Sequence, residues 1–243
     1  MWQQLLRQAL GVLVTTITRD VSKSAPEWYS ELKSWWTGKC IAIIGPTASG
    51  KNSFFNKLKR ENAPTEHIQT RGAEEVGTFK FTWPLPDKTE VYFKCKNSIN
   101  VGGEIDERER YWLQSCSGAD VIFYLIDLDR LSNNPDETKD RIKSDFKWIA
   151  SNISQFKANS SIHILTSKVD MLLNGCQDPS GIEEKISKGL ECYLEDIEGS
   201  AKKILGVYFH KITGISPISM TDSYIFSIYF TAVLRTVFKS KAI

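Results

Sequence analysis

The chain has 243 residues, of which 25% are charged and 41% hydrophobic, and its formal net charge is +2 at pH 7. These values are those of an ordinary globular protein and predict no broad nucleic-acid-binding surface. The length suits one large domain, or one domain with an extension.

The cysteines, histidines and hydropathy limit the remaining classes. The five cysteines are scattered and show no metal-ligand spacing, which favours a reducing, cytoplasmic compartment. His67, His163 and His210 are dispersed, so we expect structural or exposed histidines rather than catalytic ones. No run of about 18 apolar residues predicts a membrane span, and the N-terminus has neither a signal-peptide nor a myristoylation pattern. Attachment to the periphery of a membrane stays open.

Residues 1–37 are predicted to form an amphipathic helical extension ahead of a domain at 38–243. Its first apolar stripe recurs at helical spacing: Trp2, Leu6, Leu10, Leu13 and Ile17. Two interpretations of residues 1–20 fit equally, namely contact with a membrane surface or a partner, and packing on the domain itself.

A second helix is predicted after Ser24, with Pro26 in its first turn. It places Trp28, Leu32 and Trp35 on one stripe. For this helix, packing on the domain is the favoured interpretation.

A glycine-rich stretch at 45–52 is the strongest motif of the chain. It reads G-x-x-x-x-G-K-N, a phosphate-binding loop in which Asn52 replaces the Ser or Thr that ligates Mg²⁺. An apolar strand predicted at 40–44 precedes it and a helix predicted at 53–59 follows it, as phosphate binding requires. Lys51 is expected to reach the β and γ phosphates. The candidate phosphate-binding residues are Gly45, Thr47, Ala48, Ser49, Gly50, Lys51, Asn52 and Ser53.

Beyond the loop, strands and helices alternate. Residues 61–76 are polar and predicted to be irregular, and 78–83 and 90–95 are predicted to form a hairpin. Further strands are predicted at 121–126, 162–165 and near 214–219, and helices at 105–116, 136–155, 181–204 and 221–239. This pattern predicts an α/β domain whose central sheet is mostly parallel and flanked by helices, with ligands at the carboxyl ends of the strands.

Three further segments follow the loop in a familiar order: Asn100-Val101-Gly102-Gly103-Glu104, Thr166-Ser167-Lys168-Val169-Asp170 and Ile218-Ser219-Met220. With the phosphate-binding loop, they resemble the motifs of Ras-like small GTPases, especially the Arf-like and Gα groups. The resemblance covers about residues 39–239 and implies a P-loop, Ras-like G domain that binds GTP or GDP with Mg²⁺.

The resemblance assigns roles near the phosphates. Gly103 would contact the γ-phosphate, and Glu104, in place of the family's Gln, would orient the attacking water. A threonine would ligate Mg²⁺ together with residue 52; Thr70 is slightly favoured over Thr65 for this role. Asn100 replaces the family's Asp, which helps to hold the ion.

The resemblance also assigns the base site. Asp170 would accept hydrogen bonds from the N1–H and the exocyclic amine of guanine, a donor pair that adenine lacks. Ser167 replaces the family's Asn, and Lys168 would pack its stem along the base. Ser219 and the Met220 N–H would lie near the guanine oxygen, although Met220 fits a core position nearly as well.

The departures from the family bear on activity. Asn52 and Asn100 both weaken the expected Mg²⁺ site, so we expect weak or absent hydrolysis of GTP to GDP and phosphate, with Lys51 and Glu104 as the catalytic candidates. Asn52 fits either a natural residue or an introduced replacement.

Three functions follow: a nucleotide-dependent switch, a GTPase-like interaction module without useful turnover, and an ATP-dependent P-loop protein. For the switch, a protein effector or regulator would contact residues 61–77 and 100–116.

Overall fold

The computed structural model describes residues 28–58, 73–76, 79–84, 90–95, 98–101, 105–173 and 179–240. The strands are β1 (Ile41–Ile44), β2 (Ala73–Val76), β3 (Phe79–Pro84), β4 (Glu90–Cys95), β5 (Ser98–Val101), β6 (Val121–Asp127), β7 (Ser161–Ser167) and β8 (Ile212–Pro217). The helices are α1 (Trp28–Trp36), α2 (Lys51–Leu58), α3 (Ile105–Glu107), α4 (Leu113–Ser117), α5 (Leu128–Asn133), α6 (Pro135–Asn152), α7 (Pro179–Leu205) and α8 (Ser223–Lys239). None of the helices in these ranges has the length and hydropathy needed to span a bilayer.

A six-stranded sheet in the order β2-β5-β1-β6-β7-β8 forms the centre of the fold. All neighbouring strands are parallel except β2, which pairs antiparallel with β5 at one edge. The strands β1, β6 and β7 are buried along their whole length, as expected of parallel strands covered by helices on both faces. The predicted α/β class with a mostly parallel sheet is therefore confirmed.

The predicted hairpin is confirmed as β3 paired with β4, and it belongs to a longer ribbon. Val76 pairs with Ser98 and Phe79 pairs with Cys95, so the pairing advances by three residues on each strand and keeps one register. The ribbon places its first pair, β2 and β5, in the main sheet, and its second pair in a separate sheet. The prediction of an irregular segment at 61–76 is wrong for 73–76. The short sequence Ala-Glu-Glu-Val has no alternating pattern of its own and becomes a strand by pairing.

One face of the sheet carries an aromatic core. Phe54 of α2, Trp83 of β3 and Phe230 of α8 are buried there, with ring centroids 5.7 Å apart for Phe54 and Phe230 and 4.9 Å for Trp83 and Phe230. The Trp83 Nε1–H donates to Thr231 Oγ1 at 3.1 Å. The second half of the ribbon is thus fixed to the last helix by packing and by a hydrogen bond.

The helix α1 packs on the same face. Leu32 and Trp36 are completely buried, and the Trp36 Nε1–H donates to the Leu234 carbonyl of α8 at 3.1 Å. This confirms that the second N-terminal helix packs on the domain. Residues 1–20, and the start of this helix, lie outside the described residues, so the two interpretations of 1–20 and the domain boundary at 37 stay predictions.

The opposite face contains a buried ionic network. The helix predicted at 105–116 is divided into α3, a π-helical turn over Arg108–Trp112, and α4. In this turn Arg108 donates to Asp145 of α6 at 2.9 Å, and Asp145 also accepts from Tyr124 and Arg141 at 2.9 Å each. Asp145 is fully buried, and burial beside this carboxylate raises the pKa of the Tyr124 hydroxyl. The segment after Gly102 and Gly103 is therefore anchored to α6.

The prediction of a structural histidine is confirmed for His163, which lies in the central strand β7 and is fully buried. Its ring nitrogens are each 2.9 Å from a hydroxyl of β8, Nδ1 from Thr213 Oγ1 and Nε2 from Ser216 Oγ. Burial disfavours the charged imidazolium and lowers the pKa of His163 to about 3.

This pKa predicts a loss of stability in mild acid. Between pH 6.5 and about 3 the unfolded state binds a proton at His163 that the folded state excludes, so the free energy of unfolding falls as the pH falls. The contribution is up to about 1.4 kcal/mol for each pH unit. Urea unfolding from pH 7 to 4 should show a shallower pH dependence for His163→Gln than for the wild type. The exposed His210→Gln serves as the control, and equal slopes for wild type and His163→Gln would contradict the prediction.

Candidate nucleotide-binding site

The loop at 45–50 joins β1 directly to α2. Three of its residues have positive φ angles, namely Gly45 at 147°, Ala48 at 64° and Gly50 at 88°. Positive φ angles of this kind are typical of the concave turns in which successive N–H groups can bind one anion. The helix α2 starts at Lys51, and its first backbone bond runs from the Phe54 N–H to the Gly50 carbonyl at 2.8 Å.

The Lys51 side chain is directed back across this loop. Its ammonium donates to the carbonyls of Gly45 at 3.0 Å and Pro46 at 2.8 Å, and the residue is only 6% exposed. A lysine in this position both closes the loop and places a positive charge beside its N–H groups. Thr47, Asn52 and Ser53 are half-buried along the same turn.

Gly45 makes the tightest backbone approach of the loop. A Cβ atom built on it would lie 2.5 Å from the Leu125 carbonyl oxygen of β6 and 3.0 Å from Ser49 Oγ. The absence of a side chain therefore lets the loop pack directly against the neighbouring strand. Ser49 is buried in this contact, and its hydroxyl has no hydrogen-bond partner within the described part of the chain.

The second motif segment is tied to the loop by one hydroxyl. Ser167, at the carboxyl end of β7, donates to the Ser49 carbonyl at 2.8 Å and lies 3.2 Å from the Ile126 carbonyl. A Cβ on Gly50 would lie 3.8 Å from Ser167 Oγ and 3.6 Å from Met220 Cε. The structure thus brings together the loop, the end of β7 and the segment after β8.

Asp170 and Ser219 form the outer end of this arrangement. Ser219 Oγ donates to Asp170 Oδ1 at 2.8 Å and accepts from the Asp222 N–H at 3.3 Å. Both residues lie beyond the carboxyl ends of their strands, Asp170 in a 3₁₀ turn after β7 and Ser219 between β8 and α8. Met220 is buried in the core on the aromatic face of the sheet, as the alternative prediction of a core position for this residue required.

Lys168 is oriented by a residue that the sequence did not single out. Its ammonium donates to Asp127 Oδ2 at 2.7 Å, while Asp127 Oδ1 accepts from the N–H groups of Asp129 and Arg130 and caps α5. Asp127 is only 2% exposed. The sequence could have indicated Asp127 as a site residue, because it directly follows the apolar run at 121–126 and the carboxyl ends of parallel strands lie at one edge of the sheet.

The predicted metal site is only partly covered by the described residues. Asn52 lies in the first turn of α2, and Thr70 lies outside the described ranges. Among the described residues, no three His, Cys, Asp or Glu side chains are grouped so that they could hold a metal ion. Of the acidic groups described at this edge, Asp127 is engaged with Lys168 and the α5 cap, and Asp170 with Ser219. Magnesium binding therefore stays a prediction.

The other predicted contacts near the phosphates lie outside the described residues: Thr65, Gly103 and Glu104. Asn100 is described as part of β5, where it pairs with Ile43 of β1. The chain leaves the sheet one residue later, at the same edge as the phosphate-binding loop.

Comparisons with solved structures agree with this architecture. A chain in the structure of the mammalian SRP receptor superposes with a TM-score of 0.55 at 11% identity, covering 83% of this chain and 100% of that one. The GDP-bound RocCORdC fragment of Roco2 from Methanosarcina barkeri gives a TM-score of 0.43 at 16% identity, covering 84% of this chain and 50% of that one. The first similarity supports a common fold, and the second is too low to add to it.

No protein-family model matches the chain, and no curated protein matches its sequence. The sheet order, the loop after β1 and the structural similarity together give this protein an α/β P-loop fold of the GTPase type.

The contact of Gly45 predicts a sharp intolerance of side chains. Gly45→Ala combines an unfavourable φ angle with a collision against the backbone of Leu125, and we expect a loss of about 2 to 6 kcal/mol in the free energy of unfolding. Gly118→Ala is a matched control, since Gly118 has a φ of −89° and open space around its Cβ position. Urea unfolding should separate the two variants, and a Gly45→Ala loss of less than 1 kcal/mol would contradict this account of the loop.

Proposed function

We propose that this protein binds guanine nucleotides and acts as a nucleotide-dependent switch with weak GTP hydrolysis. The observation that carries the proposal is the convergence of the phosphate-binding loop, Ser167 to Asp170, and Ser219 at one edge of the sheet. In the proposed complex the loop N–H groups, Lys51 and the N-terminus of α2 hold the phosphates.

The base specificity is assigned to Asp170. An ionised carboxylate only accepts hydrogen bonds, so it suits a base edge that presents two adjacent donors, as guanine does and adenine does not. Ser219 donates to one carboxylate oxygen and so fixes the orientation of the group. This positioned acceptor supports a guanine nucleotide over an ATP-dependent function.

Turnover depends on groups near the γ-phosphate. Lys51 stabilises the phosphate charge, Glu104 is assigned the orientation of water, and Gly103 is assigned the γ-phosphate contact. Mg²⁺, when bound, would neutralise phosphate charge, with Asn52 and Thr70 as its proposed ligands. Asn52 contributes one neutral oxygen, which supports weak metal binding and slow hydrolysis.

A second candidate is a GTPase-like interaction module without useful turnover. The residue that favours it is Asn52, where the phosphate-loop pattern has a hydroxyl for the ion. For either candidate, we assign the surface at 61–77 and 100–116 to a protein effector or regulator and a cytoplasmic location to the chain. Contact of residues 1–20 with a membrane or a partner belongs to the same proposal.

The first experiment measures nucleotide selectivity. Titration with GTP, GDP and ATP should show guanine nucleotides binding at least about tenfold more tightly than ATP. Asp170→Ala should weaken guanine-nucleotide binding by about 10- to 150-fold, because a hydrogen bond to a charged group contributes about 1.5–3 kcal/mol. Asp136→Ala, an exposed change on α6, is the matched control. Equal affinity for ATP and GTP would reject the proposal. If guanine nucleotides bind more tightly, single-turnover hydrolysis separates the two candidates.

The second experiment isolates residue 52. Asn52→Thr restores a hydroxyl for the ion, so its affinity for GTP should be at least about tenfold higher with Mg²⁺ than with EDTA, a difference of about 1.4 kcal/mol. The wild type should show a much smaller difference. Asn56→Thr, one turn further along α2, controls for the change of side chain. Equal Mg²⁺ dependence in wild type and Asn52→Thr would exclude residue 52 as the limit on the metal.

A further inference from the structure

The hydroxyl of Ser167 is engaged within the protein. Ser167 is 1% exposed, and its Oγ lies 2.8 Å from the Ser49 carbonyl and 3.2 Å from the Ile126 carbonyl. A serine hydroxyl has one hydrogen, and carbonyl oxygens can only accept. The single donor of Ser167 is therefore used within the protein, and its shorter contact, to the Ser49 carbonyl, holds the phosphate-binding loop to β7.

Other polar side chains that the structure describes at the base end also have partners, including Thr221, whose hydroxyl lies 3.1 Å from Ser219 Oγ. Ser219 donates to Asp170, and the Lys168 ammonium is held at the buried carboxylate of Asp127. Asp170 can only accept, and Met220 has no donor in its side chain. Asp170 can accept from the N1–H and amine of guanine, and the Ser167 and Ser219 hydroxyls, among the side chains described here, each donate to a protein acceptor.

Resting on the proposed function, we propose that Ser167 is a positioning residue and does not read the base, so that the N7 atom of guanine is not recognised by this pocket. Asp170, which Ser219 orients by a hydrogen bond, then discriminates guanine from adenine. The protein accepts guanine nucleotides in which N7 is replaced by a C–H group as well as it accepts GTP.

The amide of an asparagine at the same position would behave differently. An amide has two N–H donors, so one can maintain the bond to the Ser49 carbonyl while the other is directed at the ligand. Ser167→Asn should therefore create a preference for N7. Ser167→Thr keeps a single hydroxyl donor and should behave like the wild type.

The test is equilibrium titration of the full chain with GTP, 7-deaza-GTP and ATP, in EDTA so that metal binding does not contribute. For the wild type and Ser167→Thr, the affinities for GTP and 7-deaza-GTP should agree within about threefold, and Ser167→Asn should favour GTP by about tenfold or more. Ser167→Ala should weaken both guanine nucleotides equally, because it releases the loop without changing how N7 is read.

The outcomes separate the two levels of the proposal. Wild-type binding of GTP with about tenfold or greater loss for 7-deaza-GTP overturns the role of Ser167 and leaves the proposed function intact. Equal binding of GTP and ATP overturns both. If Ser167→Asn does not fold, the ratio of the wild-type affinities for GTP and 7-deaza-GTP decides the question alone. A lower ratio of these affinities in Ser167→Ala than in the wild type also overturns the proposal, because a purely positioning residue would not change it.

Discussion

The hydrogen bond from Ser167 to the Ser49 carbonyl is the contact on which the geometry of the site depends. It joins the phosphate-binding loop to the end of β7, across the central strand β6, with a distance of 2.8 Å in a fully buried environment. Removing one partner of a buried bond leaves the other unsatisfied, which costs about 1–3 kcal/mol. Asp170 follows Ser167 by three residues, so this bond ties the loop to the segment that carries Asp170.

The two faces of the sheet support this edge in different ways. On one face, rings of α2, α8 and the ribbon interlock, and α1 adds Leu32 and Trp36 to the same core. On the other, Arg108 and Asp145 form an ion pair inside the protein, and breaking a buried pair costs about 3–5 kcal/mol. This ion pair fixes the chain at Arg108 to α6.

Sequence patterns predicted the parts of the fold that carry local signals. The strands at 121–126 and 162–165 are continuous apolar runs, and they form the buried strands β6 and β7 at nearly the predicted bounds. The strands β2 and β5 were not predicted, since neither has a clear local pattern and both are defined by nonlocal pairing, β2 with β5 and β5 also with β1. The pairing of Lys168 with Asp127 likewise depends on two strand ends that are 41 residues apart. The π-helical turn that begins at Arg108 carries no local signal either, and its first residue bonds to Asp145, 37 residues further along the chain.

The site divides the recognition of its proposed ligand between groups that do not require a metal. In the proposed complex, Lys51 and the N-terminus of α2 would provide a fixed amount of positive charge for the phosphates, and Asp170 would read the base at the far end. A triphosphate carries more negative charge than a diphosphate, whereas the positive charge of these protein groups is the same for both. In GTPases, Mg²⁺ normally neutralises the additional phosphate charge. With Asn52 in place of a hydroxyl ligand, Mg²⁺ would bind more weakly. The proposed site would therefore favour the diphosphate over the triphosphate.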